Sequence, residues 1–266
     1  HADLKGKFYE HTSDPINGQD NDNDGYIDNY WGWDFKSSSG NTQFTGGVDH
    51  GVQMAGLIAP NTDNGFGLAG VAFNCKMLAV KVTDGSQVVY GFEGIKYAAD
   101  KGCKVINCSW NIKSYSKFGE DMVNYATQKG ALVVAAMGNQ GKEDQNYPAM
   151  YKNVLAVSNT DLNDNRVSNS NIGYYADLSA PGLNVVTTKA TTGFIRNSGT
   201  SYSTALTSGA AALIASHKSN LSPEDLMQTL KAGSDPLYEN GKNDFYKNKL
   251  GVGRLNVLKA ITYSGS

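Results

Sequence analysis

The feature that most constrains this chain is an alternation that sets in near residue 50. Short, mostly apolar runs, MLAVKV (77–82), VINCSW (105–110), LVVAAM (132–137) and VLAVSN (154–159), are separated by longer helix-compatible stretches. A strand with one wet face alternates apolar and polar residues, whereas runs that lack the alternation suit strands covered on both faces. The intervening segments are GVQMAGLIA (51–59), FEGIKYAADKG (92–102) and EDMVNYATQKG (120–130). The last two end in Lys-Gly, a basic last turn followed by a glycine that can take a positive φ. Strand, helix, strand in repetition predicts an α/β fold: a three-layer sandwich with a mostly parallel central sheet and helices on both faces.

Two further helices are expected toward the C-terminus. SYSTALTSGAAALIASH (201–217) is rich in small residues, as a helix packed closely on all sides must be. SPEDLMQTLKAG (222–233) has a strong start, with Ser222 as N-cap, Pro223 in the first helical position and Asp225 in the first turn. Residues 1–49 are polar and rich in Gly, Asn and Asp, and are hard to assign to regular structure. Without an internal repeat, low-complexity block or linker, residues 1–266 read as one domain, long enough for a sizeable core.

Composition excludes some functions. A net charge of −2 leaves no electrostatic footprint for nucleic acid. No apolar run approaches the roughly 20 residues of a membrane span. Cys75, Cys103 and Cys108 form no C-x-x-C pair and read as small buried hydrophobes at strands or strand entries. GLAG (67–70) is no dinucleotide fingerprint, and no Walker loop is present.

Three segments can carry chemistry. GTSYS (199–203) feeds a serine hydroxyl into a helix start, where free N–H groups can stabilise an oxyanion; the same position suits a plain N-cap. DHGVQMAG (49–56) places His50 before a helix, and AMGNQG (136–141) ends a strand in Gly-Asn. Taken singly, these also describe a structural histidine and a turn.

Together and in this order they resemble the subtilase family of serine proteases. HGVQMAGLIA resembles the family's His-Gly-Thr-His-Val-Ala-Gly box, and VINCSWN the strand along one wall of its substrate cleft. VVAAMGNQG resembles the segment with the oxyanion Asn, and GTSYSTALTSGAAAL the Gly-Thr-Ser-Met-Ala-Thr-Pro box with its helix. The similarity continues through YPAMYKNVLAVSNT, DLSAPGLNVVTT and GVGRLNVLKAI. It implies a subtilisin-like sandwich and a serine endopeptidase working through an acyl-enzyme on polypeptide substrates. Ser201 would be the nucleophile, His50 its general base and acid, and Asn139 an oxyanion donor. Ser109, Trp110 and Asn111 would pair with an extended substrate by strand addition.

The pattern also departs from the family. Trp110 and Asn111 are bulkier than the usual Ser-Leu-Gly stretch. Gln53 stands for the second His of the His box, Tyr202 and Ser203 for Met-Ala, and Ala205 for Pro. The family's catalytic aspartate lies on its first core strand, shortly before a His-Pro-Asp-Leu segment that the opening HADL resembles. The aspartate is therefore expected upstream of His1, in a domain truncated or nicked at its N-terminus. Asp3 matches the wrong position, and Asp49 adjoins His50 too closely to reach its Nδ1. A pro-segment or upstream N-terminal fragment is the implied partner, and a secreted or periplasmic zymogen the implied setting. The isolated chain is expected to be nearly inactive. The alternative is a silent pseudoprotease that holds peptide without cutting it.

DNDNDGYID (20–28) resembles the opening of an EF-hand loop. Asp20, Asp22 and Asp24 would supply side-chain oxygens, Tyr26 its carbonyl and Asp28 a further ligand, with Gly25 at the turn. Trp31 stands where an EF-hand has its bidentate Glu, so a structural calcium site is expected and a sensor is not.

Overall fold

The apolar runs become strands wherever a neighbour is available to pair with them. A computed structural model describes residues 1–44 and 46–264. Its first half contains β1 (Gly32–Asp34), α1 (His50–Ile58), β2 (Ala79–Lys81), β3 (Thr83–Asp84), β4 (Gln87–Val88), α2 (Gly91–Asp100), β5 (Val105–Cys108) and α3 (Lys117–Gln128). The second half contains β6 (Leu132–Ala136), β7 (Val154–Thr160), β8 (Leu178–Pro181), β9 (Val185–Thr188), β10 (Phe194–Asn197), α4 (Thr200–His217), α5 (Pro223–Ala232) and α6 (Val257–Thr262).

Strands β5, β6, β7 and β8 form a parallel sheet in that order, and β1 pairs with β2 in a separate parallel ribbon. β9 with β10 and β3 with β4 add antiparallel hairpins. The absence of alternation in β6 has the expected cause, since both its faces are covered. Val133 and Ala135 join Phe92, Ile95, Val123 and Ala126 on the side of α2 and α3. Leu132 and Val134 join Ile214, Leu226 and Leu230 on the side of α4 and α5. Each fully buried Val or Leu of this kind contributes about 1.5–3 kcal/mol. The result is the three-layer α/β/α sandwich that the sequence predicts.

Local signals hold at the helix ends. Gly102 and Gly130, after the Lys that ends α2 and α3, take φ of +77° and +84°. Ser222 caps α5 by accepting a hydrogen bond from the Asp225 N–H, with Pro223 in the first turn. Other boundaries move. The run at 77–82 shortens to three strand residues, because Met77 meets only a single bridge from Phe8. The run at 105–110 ends at Cys108, where Ser109 turns to bond Ser201. Cys108 is buried in β5, where burial pushes its thiol up. Cys103 is half-buried, its thiol pushed up to about 11 by the same cause. Cys75 is half-buried between the turn at 71–74 and the Met77 bridge. No helix among the described residues is long and apolar enough to cross a membrane.

β5 is an edge strand despite its apolar composition. Val105 and Asn107 stay half-buried while Ile106 and Cys108 are buried, and all three residues of β2 are half-buried. One helix nonetheless covers both strands. Gly94 of α2 sits against Val80 and Val82 beside β2, while Phe92 and Ile95 share a cluster with Ile106 and Cys108. Two parallel edges therefore lie under α2, each with unpaired backbone N–H and C=O groups among the described residues.

Candidate active site

Helix α4 starts beside the ends of β5 and β6, and this junction gathers most of the predicted residues. Gly199 takes the N-cap position, so Ser201 lies inside the first turn and does not cap the helix. Thr200 ties the turn to β6. Its N–H donates to Asn139 Oδ1 at 2.8 Å, its hydroxyl to the same oxygen at 3.1 Å, and it accepts from the Gly138 N–H at 3.1 Å. With Oδ1 occupied by these donors, the Asn139 NH2 stays beside Gly199 at the helix start. Asn139 itself is exposed.

Ser201 and Ser109 hold one another. Ser201 Oγ donates to the Ser109 carbonyl at 3.1 Å, and Ser109 Oγ donates to the Ser201 carbonyl at 2.9 Å. Beyond Ser109 the chain turns away from β5. The Trp110 indole lies over Gly91 and meets Phe92 edge-on at 5.9 Å. Past the half-buried Asn111, Ile112 pairs antiparallel with Tyr147.

His50 opens α1, which packs on α4 through Met54, Leu57, Tyr202 and Ala205. Its imidazole stands edge-on to the Tyr202 ring, with centroids 6.4 Å apart. Among the described residues no hydrogen bond reaches that imidazole. Burial holds its pKa below the ordinary 6.5, and the Asp49 carboxylate offsets this only in part. Both Asp49 oxygens face elsewhere, one accepting from Gln53 Nε2 at 2.7 Å and the other from the Ala190 N–H at 2.8 Å. Ser201, Asn139 and the His50 helix thus share the N-terminal end of α4. Sequence reasoning missed Thr200 as the residue that orients Asn139; its position beside Ser201 was the available signal.

The acidic loop closes differently from an EF-hand. Asp14, Asp20 and Asp22 bring carboxylate oxygens within 4.8 Å of one another and can coordinate a metal. Asp14 was not in the loop pattern. It is fully buried and accepts from the N–H groups of Asn21 and Asn29 at 2.8 and 2.9 Å. Asp24 instead pairs with Lys101. Burial raises its pKa, but the bonds from Lys101, Tyr26 and Asn29 outweigh burial and hold the carboxyl below the usual range. Asp28 accepts from the N–H groups of Asn17 and Gly18, and the Tyr26 ring packs edge-on against Trp33 and Tyr97. Three hard carboxylate donors suit calcium.

Comparison with known proteins agrees with this architecture. Residues 1–253 match the profile of the subtilase family. Thermitase from Thermoactinomyces vulgaris is 37% identical over 87% of this chain and 81% of its own length. A thermophilic serine proteinase from Bacillus sp. (strain AK1) is 38% identical over 81% of this chain, which spans about half (52%) of that protein. The structure of a protease from Pseudoalteromonas arctica superposes with a TM-score of 0.72 at 26% identity, covering 80% of this chain and 70% of that one. The chain belongs to the subtilase family of serine proteases.

Proposed function

We propose that this chain is the body of a serine endopeptidase that cuts extended polypeptide through an acyl-enzyme. Ser201 attacks the scissile carbonyl, and His50 takes the hydroxyl proton and returns it to the leaving amine. The Asn139 NH2 and the Ser201 N–H receive the oxyanion. The backbone of Ser109, Trp110 and Asn111 pairs with the substrate. The observation that carries the reading is the meeting of Ser201, Asn139 and the His50 helix at one helix N-terminus, from positions far apart in sequence.

The acid of the triad comes from a strand that this chain lacks. The edges of β2 and β5 under α2 support that reading, because a parallel strand between them would join the two sheets into one. An upstream N-terminal segment, docked in that slot, carries an aspartate to His50. Without it the chain is nearly inactive, since loss of the equivalent acid in a subtilisin costs about 3 × 10⁴-fold in turnover. Asp14, Asp20 and Asp22 hold a calcium ion, whose charge relieves their mutual repulsion. The enzyme matures from a zymogen and works outside the cytoplasm, in a secreted or periplasmic setting. An N-terminal sequence of the protein recovered from culture medium or periplasm tests that assignment.

One observation favours a silent peptide-binding module instead: the Ser201 hydroxyl rests on the Ser109 carbonyl and not on His50. A fluorophosphonate probe separates the readings. Labelling is expected at Ser201 when the upstream strand is restored, in cis or as a peptide, and is expected to vanish in His50→Ala. No labelling under conditions that mark an active control ends the enzyme reading.

A further inference from the structure

Two of the positions at which this chain departs from the family boxes, Gln53 and Tyr202, touch one another. Tyr202 follows Ser201 on α4, and Gln53 lies one turn beyond His50 on α1. The Tyr202 hydroxyl donates to Gln53 Oε1, and Asn197 Nδ2 approaches the same oxygen at 3.4 Å. Gln53 Nε2 donates to Asp49 Oδ1 at 2.7 Å, and the Ala190 N–H donates to Asp49 Oδ2 at 2.8 Å. Tyr202 and Gln53 are 3% and 7% exposed.

The direction of this chain of bonds is fixed by chemistry. An ionised carboxylate only accepts, so Gln53 must present its NH2 to Asp49 and its oxygen to Tyr202, which must donate. Against α4, the contacts of Met54 and Leu57 with Ala205 are apolar and impose no direction, while the Thr187 and Thr188 hydroxyls, which donate to the Gln53 and Val52 carbonyls, tie α1 to β9 instead. Hydrogen bonds do impose one, because they weaken steeply away from linearity. The hydroxyl that locks the two helices together also sits on the ring that flanks the imidazole.

We propose that Tyr202, Gln53 and Asp49 are positioning residues for His50, forming a hydrogen-bonded clamp between α4 and α1 that sets where the imidazole stands relative to Ser201. The inference rests on the reading of His50 as base and Ser201 as nucleophile. Displacement of a catalytic group by about 1 Å can cost on the order of 10²-fold in rate. A clamp with one hydrogen-bond direction guards against such slippage.

The test is the imidazole itself, in the full chain. Histidine-labelled protein is titrated by NMR, and the His50 signal is assigned with His50→Gln. Tyr202→Phe removes one oxygen, and Gln53→Met keeps the shape without the amide; circular dichroism verifies that each folds. Loosening the clamp admits more water to a half-buried imidazole, so the His50 midpoint is expected to rise toward 6.5 in either variant. The double variant is expected to move it no further than the larger single change. A purely structural role lowers the melting temperature and leaves the midpoint where it was. An unmoved midpoint in a folded variant, or single effects that simply sum, overturns the proposal. Either variant decides if the other fails to fold. Since this readout needs no turnover, its failure is distinct from a failure of Ser201 to label.

Discussion

The hydroxyls of Ser109 and Ser201 each donate to the other residue's main-chain carbonyl, across ninety-two positions of sequence. This reciprocal pair fastens the end of β5 to the first turn of α4. In the proposed mechanism it also gives the Ser201 hydroxyl a resting partner that it must leave before it can pass a proton to His50. Ser109→Ala removes one of these two bonds and also the one that Ser109 Oγ accepts from Asn107 Nδ2 at 3.0 Å. The expected loss is about 1–3 kcal/mol, at roughly 0.5–1.5 kcal/mol per hydrogen bond. Urea unfolding of the variant measures it, and an unchanged unfolding midpoint contradicts the assignment.

The burial of His50 fixes the sign of a pH effect. Its native pKa is lowered, mainly by desolvation and against the pull of Asp49. The unfolded chain therefore binds a proton at this residue at a higher pH than the native one does. Stability should rise with pH through the window between the lowered native value and 6.5, and level off above it. The slope from this group is at most about 1.4 kcal/mol per pH unit. Urea unfolding between pH 5 and 8 is expected to show a component that His50→Gln removes. In the strand-complemented chain a docked aspartate would favour the imidazolium, so the acid limb of Ser201 labelling should lie above the His50 midpoint of the isolated chain. A limb at or below that midpoint contradicts it.

Calcium should stabilise the acidic loop. The melting temperature is expected to rise with added calcium and to fall with a chelator, and Asp20→Asn should lose most of that difference. Lys101 already neutralises part of the loop through Asp22 and Asp24, which limits the size of the increment. Identical melting curves with calcium and chelator would remove the claim.

The open edge of β5 should be visible in hydrogen exchange. Amides of β6 are expected to exchange slowly, whereas those of Val105–Cys108 that point away from β6 should exchange fast. A peptide carrying the proposed upstream strand should slow those same amides in β5. Protection of the β5 edge without any added strand would argue against a vacant slot.

Much of this was legible from residues alone. The runs at 132–137 and 154–159 lack alternation, and β6 and β7 are buried throughout. The Ser-Pro-Glu-Asp start of α5 and the Lys-Gly ends of α2 and α3 were equally plain, because caps and turns are settled within a few residues. The segments around His50, Asn139 and Ser201 were ambiguous one by one, and only their order along the chain carried the resemblance.

What only the tertiary structure decided involves partners chosen by packing. Asp14 joined Asp20 and Asp22 because the loop folds back on it, while Asp24 went to Lys101 on the end of a helix that no local pattern connects with the loop. Tyr202 found Gln53 because α1 lies against α4. Local sequence sets backbone conformation through sterics and short-range hydrogen bonds. The identity of a distant partner depends on how whole elements bury their apolar faces, and no short window of sequence contains that information.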